Sequence, residues 1–232
     1  MRSKNQYWYL EQFDLLKKMT AEEIHSVEKN ILVRHLKKRS ILRFPRMLNK
    51  YVYYLQEGII EIATNEEDKE IIKYLIKPGN LFGEIPLLEG AEDPEDYAIA
   101  LEVSVVCFID AAKLKQWMLK NEDLRITINK QISNRLRKVE NRLLSIIFKD
   151  ARTRIGEFLA DFARDFGEKN ETGFEVKNIL THSDIAKMTA TSRQTVSSTL
   201  SELRDKKWIE YNSRMIRIPF SSALLKHKKS ST

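Results

Sequence analysis

The pattern of apolar and polar positions divides the chain into a β-rich first part and a helical second part. Short β-branched or aromatic runs at residues 31–36, 40–44, 51–55, 59–64, 70–76, 97–101 and 103–109 are separated by turn residues. Four of the seven glycines and four of the five prolines fall in this region. This spacing predicts a small jelly-roll-like antiparallel β-barrel, which either encloses one modest ligand or is filled by its own side chains. Residues 6–30, before the barrel, predict two short packing helices.

A long helix is predicted over residues 121–148. An apolar stripe with heptad-like spacing runs along it: Ile132, Leu136, Val139, Leu143 and Ile146. With the β-branched residues assigned to heptad position a and the leucines to position d, the stripe predicts a parallel two-stranded coiled coil and hence a homodimer. The alternative is an amphipathic helix that packs on its own barrel.

Two short helix patterns follow each other between residues 181 and 204. Thr181 or Ser183 can cap the first helix, and Ser192 can cap the second. Apolar residues of the second helix recur at spacings of four and three: Val196, Leu200 and Leu203. Because only two residues separate the helices, they must cross steeply, which predicts a helix-turn-helix.

The polar face of the second helix favours DNA binding. Arginine can read guanine and glutamine adenine in the major groove, and serine or threonine can reach phosphates or base edges. None of the candidate residues is acidic: Ser192, Arg193, Gln194, Thr195, Ser197 and Ser198. A helical hairpin with a solvated polar face is the alternative interpretation.

A β-hairpin is predicted after the second helix, from alternating runs at 205–211 and 214–219 around Asn212 and Ser213. It would be the wing of a winged helix. Residues 193–229 hold nine Lys and Arg against three Asp and Glu, an excess that supplies most of the chain's net charge of +7. We therefore expect a nucleic-acid partner, with Lys206 and Arg214 on the phosphate backbone.

These patterns predict an α+β chain with three parts: a sensor barrel (1–120), a dimerisation helix (121–148) and a winged helix-turn-helix (149–232). Lys149 and Asp150 form a candidate hinge before a helix over 151–166, which Gly167 would cap at its C-terminus. A polar turn over 168–173 and a short strand over 174–176 lead into the helix-turn-helix. Residues 226–232 predict a loose basic tail.

Composition excludes several classes of protein. The single cysteine, Cys107, lies in an apolar run and predicts a core residue rather than a disulfide or a thiolate cluster. There is no 18-residue apolar run and no signal-peptide core, so we expect a cytoplasmic protein without a membrane partner. The sequence lacks the spacings of a metal site or of a catalytic nucleophile and base, so we do not expect an enzyme.

Four local strings resemble the Crp/Fnr-type transcription regulators: VYYLQEGI at 52–59, KPGNLFGE at 77–84, DIA at 184–186 and SRQTVS at 192–197. The resemblance extends over nearly the whole chain. It implies a β-roll sensor domain, a long dimerisation helix and a C-terminal winged helix. The implied partners are double-stranded DNA, a second copy of the chain and RNA polymerase.

The chain departs from the cyclic-nucleotide-binding members of this family. The resemblance implies that Gly83 and Glu84 would hold a ribose and that an arginine about a dozen residues later would hold the phosphate. The loop at 89–97 has no arginine and carries four acids: Glu92, Asp93, Glu95 and Asp96. These acids would repel a phosphate, so we expect no control by cyclic nucleotide and a structural role for Glu84.

Other cofactors known in the family also lack support. One cysteine cannot supply an iron–sulfur cluster, and the four scattered histidines show no spacing that calls for haem. The cofactor therefore stays unknown.

The recognition helix departs from the family pattern as well. Many members have the sequence Arg-Glu-Thr-Val-Ser-Arg in this helix, where this chain has RQTVSS at 193–198. Gln194 and Ser198 are the changed positions, so we expect a different preferred half-site. Ala190 stands where the turn usually has glycine. A second possible function is a small-molecule sensor that acts mainly through protein contacts, and the effector, the operator and the direction of regulation stay open.

Overall fold

The computed structural model describes residues 31–43, 50–67, 69–83 and 96–225. The helices predicted at 6–30 and the basic tail predicted at 226–232 lie outside these ranges. The chain divides into two compact units, Met1–Val139 and Glu140–Thr232.

Eight strands occur in the described part of the first unit: β1 (Ile31–Leu36), β2 (Ile41–Arg43), β3 (Tyr51–Glu57), β4 (Ile60–Glu66), β5 (Lys69–Ile76), β6 (Leu81–Phe82), β7 (Asp96–Ala100) and β8 (Ser104–Asp110). They form two four-stranded antiparallel sheets, with strand orders β1-β8-β3-β6 and β2-β7-β4-β5. This confirms the predicted jelly-roll-like fold. The sequence pattern does not reveal β6, because two residues are too few to show an alternation.

The inner faces of the two sheets enclose an apolar core. Its buried members are Tyr53, Leu55, Ile60, Ile62, Ile76, Phe82, Ala98, Ala100, Val106 and Phe108. The Tyr53 ring stacks on Phe82 with centroids 5.3 Å apart and meets the edge of Phe108 at 4.9 Å. The side chains of the described strands therefore fill much of the space between the sheets.

A helix that the sequence pattern did not predict, α1 (Ala111–Lys120), covers the outer face of the first sheet. It begins immediately after β8, where the Asp110 carboxylate accepts a hydrogen bond from the Lys113 main-chain N–H at 3.0 Å. Cys107 is 1% exposed in the core beneath this helix. Burial raises the pKa of its thiol to about 12, so Cys107 is a protonated core residue, as predicted.

The long helix α2 (Glu122–Phe148) begins against the barrel, where Leu124 and Ile128 are buried. One turn further on, the Gln131 side chain pairs with main-chain groups at the sheet edge. Its Oε1 accepts from the Leu81 N–H at 3.0 Å, and its Nε2 donates to the Gly79 carbonyl at 3.0 Å. Arg135 donates to the Leu81 carbonyl at 2.5 Å. The first half of α2 is thereby fixed to the edge strand β6.

The second unit contains α3 (Ala151–Phe166), β9 (Glu168–Lys169), β10 (Gly173–Lys177), α4 (His182–Thr189), α5 (Arg193–Asp205), β11 (Glu210–Tyr211), β12 (Met215–Pro219) and a 3₁₀ helix at Ala223–Leu225. Its four-stranded sheet has the order β11-β12-β10-β9. The helices and the hairpin occur in the order of a winged helix-turn-helix. None of the helices in the described ranges is long and apolar enough to cross a membrane.

The division between the units lies inside α2, upstream of the predicted hinge at Lys149 and Asp150. Both of these residues are held by hydrogen bonds. The Lys149 carbonyl accepts from Arg154 at 2.7 Å, and the Asp150 carboxylate caps α3 by accepting from the Thr153 N–H at 2.8 Å. The last turns of α2 therefore group with the winged helix in this division, and the hinge at 149–150 stays a prediction.

Gly167 follows α3 as predicted, but its physical role differs from the expected one. Its φ is −96°, so it does not use the left-handed conformation of a glycine cap. A Cβ at this position would lie 2.5 Å from the Ala163 carbonyl oxygen and 2.7 Å from the Glu175 carbonyl oxygen. Glycine is required because β10 approaches closely. The predicted polar turn at 168–173 is also partly a strand, since β9 pairs with β10.

Candidate nucleic-acid interface

A capping box starts the first helix of the helix-turn-helix. The Thr181 hydroxyl accepts from the Asp184 N–H at 3.1 Å, and the Asp184 carboxylate accepts from the Thr181 N–H at 2.8 Å. Thr181, rather than Ser183, is therefore the cap of α4. Ile185 and Ala186 are buried in this unit, where α4 packs against α5.

The turn between α4 and α5 uses a strained backbone conformation. Ala190 has φ 50° and ψ 52°, the left-handed region that favours glycine. The Thr191 N–H donates to the Ala186 carbonyl at 3.0 Å. Arg154 of α3 donates to the Thr189 carbonyl at 2.9 Å and to the Ala190 carbonyl at 3.0 Å. The guanidinium of Arg154 thus holds the turn in place.

A second arginine reaches the same end of α4 from the last turns of α2. Arg142 donates to the Lys187 carbonyl at 3.0 Å, and burial lowers its pKa. The last carbonyls of a helix carry partial negative charge, so Arg142 and Arg154 both stabilise the C-terminus of α4.

Serine and threonine hydroxyls at the start of the recognition helix α5 are used to build it. Ser192 accepts from the Thr195 N–H at 3.0 Å, and the two hydroxyls lie 2.8 Å apart. Ser192 and Thr195, both predicted DNA contacts, therefore form the N-cap. The other predicted contacts on this helix are exposed: Arg193, Gln194, Ser197 and Ser198. The Ser198 hydroxyl donates to the Thr195 carbonyl at 3.0 Å.

The opposite face of α5 is buried through Val196, Leu200 and Leu203, as predicted. Ser201 is exposed on the polar face, although the sequence analysis did not select it. It follows Gln194 and Ser197 at helical spacings of seven and four. The same periodicity that identified the other candidates could have found it.

The helix α5 ends in a turn that shortens the predicted wing. The Trp208 N–H donates to the Leu203 carbonyl at 2.9 Å, and the Lys207 N–H donates to the Arg204 carbonyl at 2.9 Å. With Lys207 at φ 57°, this is a Schellman motif. The first wing strand is therefore β11, with two residues, instead of the run predicted over 205–211.

Lys206 lies at the C-terminal end of α5, about 18–20 Å along the helix from Arg193. Its ammonium is 2.7 Å from Glu202 Oε1 and 5.1 Å from the centre of the Trp208 ring. Its charge is therefore partly compensated within the chain.

The basic residues of the wing differ in how far their charge is compensated. Arg217 bonds Glu175 at 2.6 Å and Glu210 at 3.0 Å, and the bond to Glu175 raises its pKa. Arg214 is exposed in the wing turn, and its side chain has no partner among the described residues. Among the charges of the wing turn and β12, Arg214 is the one available to a phosphate.

The predicted effector residues are only partly described. Gly83 follows β6 with φ 63°, a left-handed conformation that suits glycine. Glu84 and most of the acidic loop lie outside the described residues. Within the described ranges, no group of three His, Cys, Asp or Glu side chains is arranged to hold a metal ion.

The predicted dimer stripe on α2 is uncovered. Its five members are between 37% and 58% exposed: Ile132, Leu136, Val139, Leu143 and Ile146. The spacing does not fit the predicted heptad assignment, because Leu136 follows Ile132 by four positions and Val139 follows Leu136 by three. The leucines therefore occupy position a and the β-branched residues position d. This combination does not select two strands, so the stripe leaves the number of copies open, and self-association through it stays a prediction.

Two family models match the chain. The cyclic nucleotide-binding domain matches residues 33–121, and the Crp-like helix-turn-helix domain matches residues 153–226. Together they cover more than half of the sequence, in the order of the two folded units. The chain belongs to the Crp/Fnr family of transcription regulators.

Curated relatives support this assignment to the Crp/Fnr family. The CRP-like cAMP-activated global transcriptional regulator of Mycobacterium tuberculosis is 24% identical over 179 residues, covering 77% of this chain and 80% of the relative. The global nitrogen regulator of a Nostoc species is 25% identical over 189 residues, covering 81% and 85%. Among solved structures, FixK2 from Bradyrhizobium japonicum has the same fold, with a TM-score of 0.74 at 19% identity, covering 87% of this chain and 99% of that one. The chain is thus a Crp/Fnr transcription regulator with a DNA-binding helix-turn-helix.

Proposed function

We propose that this regulator is a cytoplasmic homodimer that reads a two-part operator through its recognition helices. The observation that carries the proposal is the exposed, acid-free first half of α5, whose polar side chains face away from a buried apolar face. The exposed stripe on α2 supports pairing with a second copy. Half-sites in the operator should then lie about one helical turn apart, roughly 10 base pairs between centres.

Arg193 is the proposed guanine reader. Its side chain is exposed in the first turn of α5, the part of a recognition helix that enters the major groove. A bidentate bond from arginine to guanine O6 and N7 is the commonest specific contact. Arg193→Ala should cost about 1–3 kcal/mol on the preferred site and much less on random DNA. Fluorescence anisotropy with matched operator and random duplexes measures both.

Gln194 is the proposed adenine reader, because its amide can both donate to N7 and accept from N6. Selection of binding sites from random DNA gives the preferred operator of the wild-type protein. Gln194→Glu should move the preference at one position in each half-site towards cytosine, since a carboxylate can only accept. Gln116→Glu, an equal charge change at an exposed position of α1, should leave the selected sequence unchanged. If Gln194→Glu also selects the wild-type sequence, Gln194 is not a base reader.

Ser198 and Lys206 have smaller proposed roles. Ser198 is too short to replace an arginine, and its hydroxyl already bonds a carbonyl of its own helix. One base position should therefore be weakly specified. Lys206 was predicted to contact the backbone, but its pairing with Glu202 should make Lys206→Ala less costly for DNA affinity than Arg214→Ala. Arg214→Ala removes one phosphate contact from each subunit, so it should lower the salt slope of dimer binding by about 2.

We further propose that neither cyclic nucleotides nor an iron–sulfur cluster controls this protein. The loop at 89–97 has no arginine to hold a phosphate and carries acids that would repel one. The single cysteine, Cys107, is buried, and one thiol cannot hold an iron–sulfur cluster. The relatives named above are a cAMP-activated regulator and a nitrogen regulator, so membership of the family does not specify the signal. Calorimetry should detect no cyclic-nucleotide binding at micromolar concentrations. Such binding, accompanied by tighter operator affinity, would refute this proposal.

The competing function is a small-molecule sensor module that acts mainly through protein contacts. Its discriminating property is DNA affinity. The proposed regulator should bind promoter DNA with an affinity that falls steeply with salt, whereas the sensor module should show no shift of such DNA in a gel.

A further inference from the structure

The wing turn is organised by its own asparagine. Asn212 Oδ1 accepts hydrogen bonds from the Arg214 N–H at 2.8 Å and from the Met215 N–H at 2.9 Å. The Asn212 N–H donates to the Met215 carbonyl at 3.0 Å. These bonds define the path of the turn, but β11 pairs with β12 through only two residue pairs. So short a strand gives the turn little support from its own hairpin.

Further support comes from β10, which pairs with β12 as far as Lys177 and Met215, and from Asn178 in the segment between β10 and α4. The Asn178 main-chain N–H donates to the Arg214 carbonyl at 2.9 Å. Its side-chain Nδ2 donates to the Asn212 carbonyl at 2.7 Å, across 34 positions of sequence. One residue thus binds the carbonyls on both sides of Ser213 and clips the two ends of the wing turn together.

A second contact joins the wing to the first residue of α4. His182 Nε2 lies 3.1 Å from the Tyr211 hydroxyl, and the two rings have centroids 5.9 Å apart. Tyr211 belongs to β11 and immediately precedes the turn. The wing is therefore fastened to the helix-turn-helix at two neighbouring points, Asn178 and His182.

We propose that Asn178 is a positioning residue for DNA binding, which acts by holding Arg214 at a fixed place beside the recognition helix. This inference rests on the proposed role of Arg214 at the phosphate backbone. Ordering a loose stretch of backbone on binding costs conformational entropy and therefore opposes affinity. The clip at Asn178 orders the turn before DNA arrives, so the Arg214 charge meets the phosphate with less loss of entropy.

A double-mutant cycle tests this role on the full-length protein and its selected operator. Asn178→Ala removes the side-chain bond to the Asn212 carbonyl and keeps the main-chain bond to the Arg214 carbonyl. It should weaken binding about fivefold in the wild-type background. In the Arg214→Ala background the same change should have almost no further effect, because there is no charge left to position. His182→Phe keeps a ring beside Tyr211 and removes the hydrogen bond, and its effect should depend on Arg214 in the same way.

Asn170→Ala is the matched control. Asn170 also organises a turn, by accepting from the Thr172 and Gly173 N–H groups at 2.9 Å, but in the hairpin between β9 and β10. It should leave operator affinity unchanged. If Asn178→Ala unfolds the protein, His182→Phe tests the same dependence of operator affinity on Arg214 with less disturbance of the backbone.

Three results would overturn the inference. Asn178→Ala and His182→Phe could leave affinity unchanged, or weaken it equally with and without Arg214. Alternatively, Arg214→Ala could change neither affinity nor salt slope, which would show that the wing does not contact DNA. In that last case Arg193→Ala still reports on the proposed function, because its loss of operator affinity does not involve the wing.

Discussion

At the scale of single residues, Ala190 is where this chain departs from what its backbone favours. A left-handed conformation brings the alanine Cβ close to its carbonyl oxygen, at a cost of about 1–2 kcal/mol. The conformation persists because Arg154 and the Thr191 N–H bond the carbonyls around it. The turn is therefore held by its neighbours rather than by its own sequence.

Ala190→Gly should raise the free energy of unfolding by about 0.5–1 kcal/mol. Glycine removes the steric cost, and its greater freedom in the unfolded chain offsets part of the gain. Ala186→Gly, in the helical interior of α4, should instead lower stability by about 1 kcal/mol or more. Chemical denaturation of both variants checks the pair. Equal losses from both would show that Ala190 is not strained.

Residues that act on their own backbone neighbourhood could be predicted from sequence, and distant clamps could not. Thr181, Ser192 and Ala190 were identified because a cap or a turn depends on residues within three or four positions. Arg142, Arg154 and Asn178 act on main-chain carbonyls 34 to 45 positions away. Every residue has a main-chain carbonyl, so the sequence does not show which carbonyl a distant side chain will contact before the fold is known.

At the scale of elements, the start of α3 and the end of α5 are stabilised by carboxylates. Bonds from the Thr153 N–H and hydroxyl lower the pKa of Asp150, and a bond from Lys206 lowers the pKa of Glu202. Arg152 also pairs with Glu202 at 2.9 Å, which joins α3 to α5. Both acids are ionised in the folded chain at neutral pH.

Thermal stability should therefore fall as the pH is lowered. A depressed pKa means that the folded state binds protons less readily than the unfolded chain, so the contribution is present above about pH 4 and is lost below it. Asp150→Asn keeps a good helix cap but does not titrate. Between about pH 5 and pH 3, the melting temperature of this variant should change less than that of the wild type. If the melting temperatures of the two proteins change equally with pH, Asp150 does not contribute to the pH dependence of stability.

Most elements that are long enough to show their period were predicted from the sequence, although the ten-residue helix α1 was not. The strands of the barrel, α3 and α5 all carry several apolar positions at regular spacing. The two-residue strands β6, β9 and β11 carry none, because tertiary contacts define them. The wing strand was predicted to begin at residue 205, but the end of α5 and its Schellman turn lie there, since lysine stands where glycine would have marked the helix end.

At the scale of the whole molecule, the uncovered α2 stripe is the feature on which the proposed assembly depends. Apolar side chains exposed at regular spacing along a helix mark an association surface when they form one continuous line. The last turn widens this surface, with Leu144, Ile147 and Phe148 between 52% and 78% exposed.

Leu136→Asp and Leu143→Asp should each shift the chain from dimer to monomer, because a carboxylate in the seam would be buried without a partner. Sedimentation velocity over a range of concentrations measures the shift. Leu119→Asp is the matched control, since Leu119 is 86% exposed on α1 and lies off the stripe. A wild-type protein that stays monomeric at all concentrations, with and without DNA, would contradict the assembly.

The open stripe also has a consequence for gene dosage. If monomers prevail in the cell, the amount of DNA-competent dimer formed through α2 rises with the square of the total protein, by mass action. Halving expression would then remove about three quarters of the dimer, and operator occupancy would follow when sites are far from saturated. A regulator assembled in this way responds to its own abundance more steeply than a monomeric DNA-binding protein, before any effector is considered.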